Sequence, residues 1–438
     1  MAAPQVLTRE DCEAVARRHF GREDVRVARW TESKLGGDKP AGFLGAHKLV
    51  TVHAAAGDGP EECVDVFLKT VPDNENQTKL IETTGAFRKE VFFYQHLVPA
   101  WEEFGIIPKA SLAQRIASAE VPGEPSWGCR CYISRDKLVV LENIAKLGYT
   151  SESPRDVYDR EHILFCMKMI AKFHAASLIY EEKLSEERKK PFRIGEEFPE
   201  MVQETFYLVK DGHPGEQTTE AGVVGLMECA KKLPACQDPS VLRVVEERLP
   251  GVLRRVYDSV KASARRRNVL CHSDLWQNNI LFRRDARGRP LDVALVDFQL
   301  MRYAPPAHDI YDLLHLTTRR ELRERHEREF LDVYYATLAD TLRDFGLSAE
   351  HVLSREEFDA SLDEQRLAGR LAAVFCLHFI LSSEEMIRSV FSDSEEYERT
   401  VSEGKYRAKL ICTQFDRDQE YRERLEECLM EVLEKDVL

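Results

Sequence analysis

The segment CHSDLWQNNILF, residues 271–282, sets an aspartate and two asparagines directly before an apolar run. Ile280 to Arg283 reads as a strand, Asp285 to Gly288 as a turn, and LDVALV (291–296) as the returning strand. Asp297-Phe298-Gln299 comes at once after it. Neighbouring strands lie about 4.8 Å apart, so a hairpin returns its last residue beside its first. Asn279 before the hairpin and Asp297 after it are therefore expected to reach one ion, with Asp274 on the loop in front of them. Carboxylate and carboxamide oxygens are hard ligands that suit a magnesium ion carrying phosphate. Singly, each residue reads as a loop cap or a turn acid. In this order, with a hairpin between, they match the catalytic loop of a kinase and its metal-binding aspartate.

The N-terminal half tests that reading independently. A kinase needs a strand lysine to hold nucleotide phosphates and a helix glutamate to orient it. HKLVTVHA and CVDVFLKTV, joined by a turn at Gly57 to Pro60, read as an antiparallel hairpin. Alternation puts Val64, Val66 and Leu68 on one face and Phe67 and Lys69 on the other. In AFRKEVFFYQHL, Phe87, Val91 and Tyr94 recur at helical spacing. Glu90 lies on their side, an odd place for a solvated acid, and a Lys69–Glu90 pair accounts for both charges. Gly36, Gly37, Gly42 and Gly45 allow close backbone approach to phosphates, but they do not spell a kinase glycine pattern, and a flexible turn explains them equally well.

A chain of 438 residues implies two or three packed units. The reading is an α+β protein: residues 1–143 form a small antiparallel sheet with one main helix, and 144–438 a larger, mostly helical part. Thr8 to Asp11 fits a capping box opening a first helix that stops near Gly21. Ser153-Pro154 is expected to cap a helix running to about Tyr180. Residues 181–240, which include Pro191, Pro199, Pro214 and Pro234, read as an insert of short helices, and 318–435 as several packed helices. A net charge of −14 argues against a nucleic-acid or anionic-membrane binder. No apolar stretch looks long enough to span a bilayer, and membrane insertion is not expected. Eleven cysteines without a zinc-like spacing suggest reduced thiols in a cytoplasmic protein.

HSDLWQNNILF, LVDFQLMRYAPPAHDIYDLL, LVVLEN and MIAKFHAASL resemble the ecdysteroid kinase-like family, which groups with choline kinases and aminoglycoside phosphotransferases. The resemblance covers about Gly36 to His315. It implies the bilobal protein-kinase-like fold and ATP-dependent phosphorylation of a small molecule's hydroxyl. Under it Asp274 is the catalytic base, and Asn279 and Asp297 hold Mg2+ on ATP. Lys69 grips phosphate and Glu90 orients it, while Leu141, Glu142 and Asn143 form the hinge whose backbone meets adenine. Asp309 braces the catalytic loop, and His272 orders it. The chain departs from the family at Ser273, where glycine is usual, and at His308, where an apolar residue is usual.

Two rival readings compete with a small-molecule kinase. A protein kinase needs an activation segment, and only twelve positions separate Asp297 from Asp309. A pseudokinase scaffold would be free to lose Lys69, Glu90, Asp274, Asn279 and Asp297, and all five are present. The acceptor, an ecdysteroid-like or other polyol or alcohol, with a choline- or aminoglycoside-type acceptor as the alternative, is expected between the catalytic loop and the C-terminal helices. Phe198, Phe206, Tyr207, Phe375 and Phe379 are candidates to line its pocket.

Overall fold

The computed structural model describes residues 6–34, 45–117 and 128–438, so Gly36, Gly37 and Gly42 lie outside the described residues. The described chain divides into two compact units. The first comprises the residues up to Glu82, Ala86–Thr150 and Leu281–Gln299; the second comprises Thr83–Gly85, Ser151–Ile280 and Leu300–Leu438. Where the sequence reading divides the chain at 143, the first unit continues to Thr150 and also takes in most of the hairpin that follows Asn279.

In the first unit, β1 (Val25–Lys34), β2 (Ala46–Ala56), β3 (Glu62–Thr70), β4 (Cys131–Arg135) and β5 (Leu138–Glu142) form one antiparallel sheet in the order β1-β2-β3-β5-β4. Helix α1 (Arg9–Phe20) opens on a Thr8/Asp11 capping box and closes on Gly21, whose φ of 65° suits a residue without a Cβ. Cys12, Val15 and Ala16 of α1 share a core with Val50, Val52, Val64, Val66, Leu68 and Val140, so one face of the sheet is closed by this helix. Alternation then leaves Lys69 on the opposite face.

The segment expected as one helix is continuous but not regular. Ala86–Phe92 is α-helical, Phe93–Leu97 is a π-turn, and Val98–Glu103 resumes the α-helix. A π-turn inserts an extra residue and shifts the register of the helix beyond it. Phe93, at its start, stacks on Phe298 with ring centroids 4.1 Å apart. Phe298 itself is fully buried. The hairpin Ile280–Arg284/Pro290–Leu295 pairs with Tyr149–Ser151, and its turn closes through Gly288 N–H to Asp285 O at 3.0 Å.

The second unit is built around α-helices. Its longest, Arg160–Arg188, starts six residues later and ends eight later than the sequence suggests. Ser153 forms a local turn instead of a cap, accepting from Arg155 N–H, and Asp159 caps the helix by accepting from His162 N–H. The charged stretch after Tyr180 stays helical because Glu181 and Leu184 are buried. By length and composition this helix could cross a membrane, contrary to the expectation that no such stretch exists. Most of its apolar window, 78%, is buried inside the protein, as in a core helix. Pro214 does not break a helix but starts a 17-residue one, Pro214–Ala230, since proline's missing N–H costs nothing at the first turn. Strands Val269–Cys271 and Arg302–Ala304 pair antiparallel, and helices Ala307–Thr317, Arg320–Asp344 and Arg355–Ile380 come after them in the chain.

Removing the ring of Phe298 opens a cavity against Phe93. Phe298→Ala is expected to lower stability by about 3–5 kcal/mol, read as an earlier urea midpoint with unchanged slope.

Candidate active site

The first unit brings together Lys69, Glu90 and Asp297. Lys69 Nζ lies 2.6 Å from Glu90 Oε2 and 2.6 Å from Asp297 Oδ1. The Lys69 and Glu90 side chains are 3% and 0% exposed, whereas Asp297 keeps 22%. Burial alone would lower the Lys69 pKa, but Asp297 and Glu90 outweigh it and hold the ammonium charged. Burial raises the Glu90 carboxyl above its ordinary value, with Lys69 working against the rise. Gln299 also accepts from Lys69 Nζ, at 3.1 Å. The sequence reading gives Gln299 no role; its place two residues after Asp297 is the available signal.

His47 is likewise absent from the sequence reading. It stands opposite Lys69 in the β2–β3 register, with its ring 5.2 Å from that of Phe67. Burial, helped by Lys69, pushes its pKa down to about 4, so the imidazole is neutral. A Cβ on Gly45 would come within 2.8 Å of His47 Nε2 and 3.1 Å of Lys69 Cε, so a side chain here would push those two side chains aside.

Of the three residues expected to form a hinge, Leu141 and Glu142 end β5 and Asn143 follows it. The Glu142 carboxylate accepts from Leu112 N–H at 3.0 Å and Ala113 N–H at 2.9 Å, tying the start of a short helix to the sheet. The Glu142 and Asn143 N–H groups are themselves committed, to Arg130 O and Asp65 O.

The second unit brings together Asp274 and Asn279. Asn279 Nδ2 donates to Asp274 Oδ2 at 2.7 Å and to Asp274 O at 2.9 Å. Spending its amide protons on Asp274 leaves the Asn279 carbonyl oxygen as its ligand atom for a cation. The Asp297 carboxylate of the first unit is likewise a hard-oxygen donor, and each of these residue types suits magnesium.

The loop carrying Asp274 is pinned by Asp309, which is fully buried. Its carboxylate accepts from His272 N–H at 2.7 Å, Ser273 N–H at 2.8 Å and His174 Nε2 at 3.0 Å. Burial raises its pKa, but His174 and the neighbouring imidazoles bring it below the ordinary value. His308, whose presence the sequence leaves unexplained, packs its Nε2 3.4 Å from Arg302, which pairs with Glu204 at 3.0 Å. Burial and Arg302 lower the His308 pKa to about 4, consistent with a neutral ring facing a guanidinium.

Asp297 and Ser273 both have positive φ, 69° and 65°. A left-handed conformation costs a non-glycine residue roughly 1–2 kcal/mol, and such strain gathers at functional sites. Glycine at position 273 would escape the cost.

The model of the ecdysteroid kinase-like family matches residues 41–347, well over half of the chain. The chain belongs to the ecdysteroid kinase-like family. No curated protein matches it. Among solved structures, a choline/ethanolamine kinase family protein from Mesorhizobium loti is 12% identical, with a TM-score of 0.30, over 91% of this chain and 92% of that one. A GDP complex of a mutant aminoglycoside 2'-phosphotransferase is 13% identical, with a TM-score of 0.35, over 93% and 99%. A microcompartment-associated aminopropanol kinase is 11% identical, with a TM-score of 0.33, over 92% and 97%. At scores this low the family assignment rests on the family model.

The geometry sets two expected outcomes. Lys69→Met strands Glu90 in a buried site and is expected to lower stability by about 3–5 kcal/mol. Lys69→Met/Glu90→Gln should recover much of that loss in urea denaturation. In the single variant Glu90 keeps a raised pKa, so the loss should shrink as pH falls and Glu90 takes up a proton. At position 273 the buried hydroxyl has no hydrogen-bond partner among the described residues. Ser273→Gly should therefore leave the melting temperature unchanged or raise it. Ser273→Val, β-branched at positive φ, should lower it.

Proposed function

We propose that this protein is an ATP-dependent small-molecule kinase that transfers the γ-phosphate to a hydroxyl of an ecdysteroid-like or other polyhydroxylated alcohol. The observation that carries this reading is the buried Lys69, held between Glu90 and Asp297. A lysine so oriented is the phosphate-binding cation of phosphoryl transfer. Asp297 and Asn279 are the residues to hold magnesium, which would neutralise charge on the ATP phosphates. Leu141, Glu142 and Asn143 are the hinge for adenine. With the Glu142 and Asn143 N–H groups committed to the sheet, carbonyls or a neighbouring N–H must make that contact.

Asp274 is the base in this reading. It takes the acceptor's hydroxyl proton as the oxygen attacks the γ-phosphorus and the bond to the departing ADP oxygen breaks. Asn279 orients the carboxylate through its 2.7 Å hydrogen bond, and Asp309 fixes the backbone beneath it. The short span from Asp297 to Asp309, containing Ala304-Pro305-Pro306, favours a small acceptor over a peptide. Retention of Lys69, Glu90, Asp274, Asn279 and Asp297 favours turnover over a scaffold role.

A metabolite extract incubated with Mg–ATP, read by mass spectrometry for phosphorylated products, identifies the acceptor. With that acceptor, Asp274→Asn should lower kcat by about 100- to 10,000-fold, the usual contribution of a general base. Its ATP affinity by calorimetry should move only a few-fold. Normal turnover in this variant would leave Asp274 as a loop cap.

A further inference from the structure

The catalytic loop is held from two sides by one helix. Asp309 takes the N–H groups of His272 and Ser273, just before Asp274. Asp312, one turn further along Ala307–Thr317, takes the N–H of Leu275, just after it, at 3.1 Å. Residues three apart on a helix share a face, so the two acids bracket the base.

Their surroundings differ. Asp309 has His174 as a direct partner, 3.0 Å away. Asp312 is also buried, but its cationic neighbour Arg302 is already paired with Glu204. The groups facing Asp312 are Asp309 on its own helix, Arg302 on the neighbouring strand, Tyr207 on the segment after Glu204, and Cys376 on helix Arg355–Ile380. Cys376 lies within electrostatic reach of both Asp312 and Asp274, which places the two acids in one neighbourhood.

We propose that Asp312 is a positioning residue for Asp274, anchoring the loop through Leu275 and setting by its own charge how strongly Asp274 attracts the acceptor's proton. This rests on the phosphotransfer reading above. Burial, the largest effect, and Asp309 raise the Asp312 pKa from 3.8 to about 7, against the Leu275 N–H and Arg302. Asp312 therefore changes charge near neutral pH. Ionised, it accepts more strongly from Leu275 N–H and makes Asp274 more basic through like-charge repulsion. Turnover should rise as pH rises through about 7.

Asp312→Asn keeps the shape and an acceptor for Leu275 N–H but removes the charge. The test compares wild type and this variant across pH with Mg–ATP alone, water taking the acceptor's place in slow hydrolysis. The wild-type profile should show a limb near neutral pH that the variant lacks. At alkaline pH the variant should run about tenfold slower, a fraction of a general base's whole contribution, with ATP affinity unchanged.

Thermal melting supplies a readout that needs no catalysis. A folded-state pKa above the unfolded value gives stability that is full below the unfolded value and lost as pH rises through the folded one. Wild type should therefore lose stability relative to Asp312→Asn as pH rises from about 3.8 to about 7, with no further loss above that. A limb that survives in the variant, a wild-type profile without one, or a melting difference independent of pH overturns the positioning role alone. Wild-type protein inert toward Mg–ATP at every pH overturns the phosphotransfer reading, and the positioning role with it.

Discussion

The loop carrying Asp274 depends on one buried carboxylate. Asp309 is completely enclosed, yet it accepts from two consecutive backbone N–H groups and an imidazole. A buried acid without such partners would take up a proton instead of staying charged. Here the partners come from two places, the loop at His272 and Ser273 and the long helix through His174, whose ring is in turn held by the hydroxyl of Tyr334 at 2.7 Å. The same bonds that keep Asp309 charged hold Ser273 at positive φ and set the backbone at Asp274.

The first unit uses the same device with the signs exchanged. A buried cation, Lys69, is surrounded by Glu90, Asp297 and Gln299. Removing one member of such a group leaves a buried charge unpaired, which costs more than the pair contributes. Both centres therefore demand a well-packed scaffold. The sheet core beneath β3 and the Phe93–Phe298 stack provide it in the first unit. In the second, the helix Arg160–Arg188 presents a face buried along most of its length.

Much of this is legible in the sequence because local periodicity speaks directly to burial. Val64, Val66 and Leu68 alternate against Phe67 and Lys69, and that alternation alone puts Lys69 on the face away from the α1 core. Glu90 stands out because an acid sits among apolar helix positions. Boundaries are less legible. Ser153 can cap a helix or make a turn, and only the presence of Asp159 six residues later decides between them. The charged stretch after Tyr180 looks solvated, yet Glu181 is buried, accepting from Tyr303 Oη at 2.8 Å from a strand 122 positions away. No local pattern announces such a partner.

The sequence by itself determined the antiparallel sheet, the order of Asp274, Asn279 and Asp297 along the chain and the pairing of Lys69 with Glu90, since each comes from short-range alternation, spacing and residue chemistry. The tertiary structure alone decided which groups share an environment: that His47 faces Lys69, that Gln299 joins the lysine's partners, that His308 rests on Arg302, and that Asp312 brackets Asp274 opposite Asp309. Those facts depend on contacts between segments far apart in the chain. Burial and proximity, which set charge state and strain, exist only once such segments have packed.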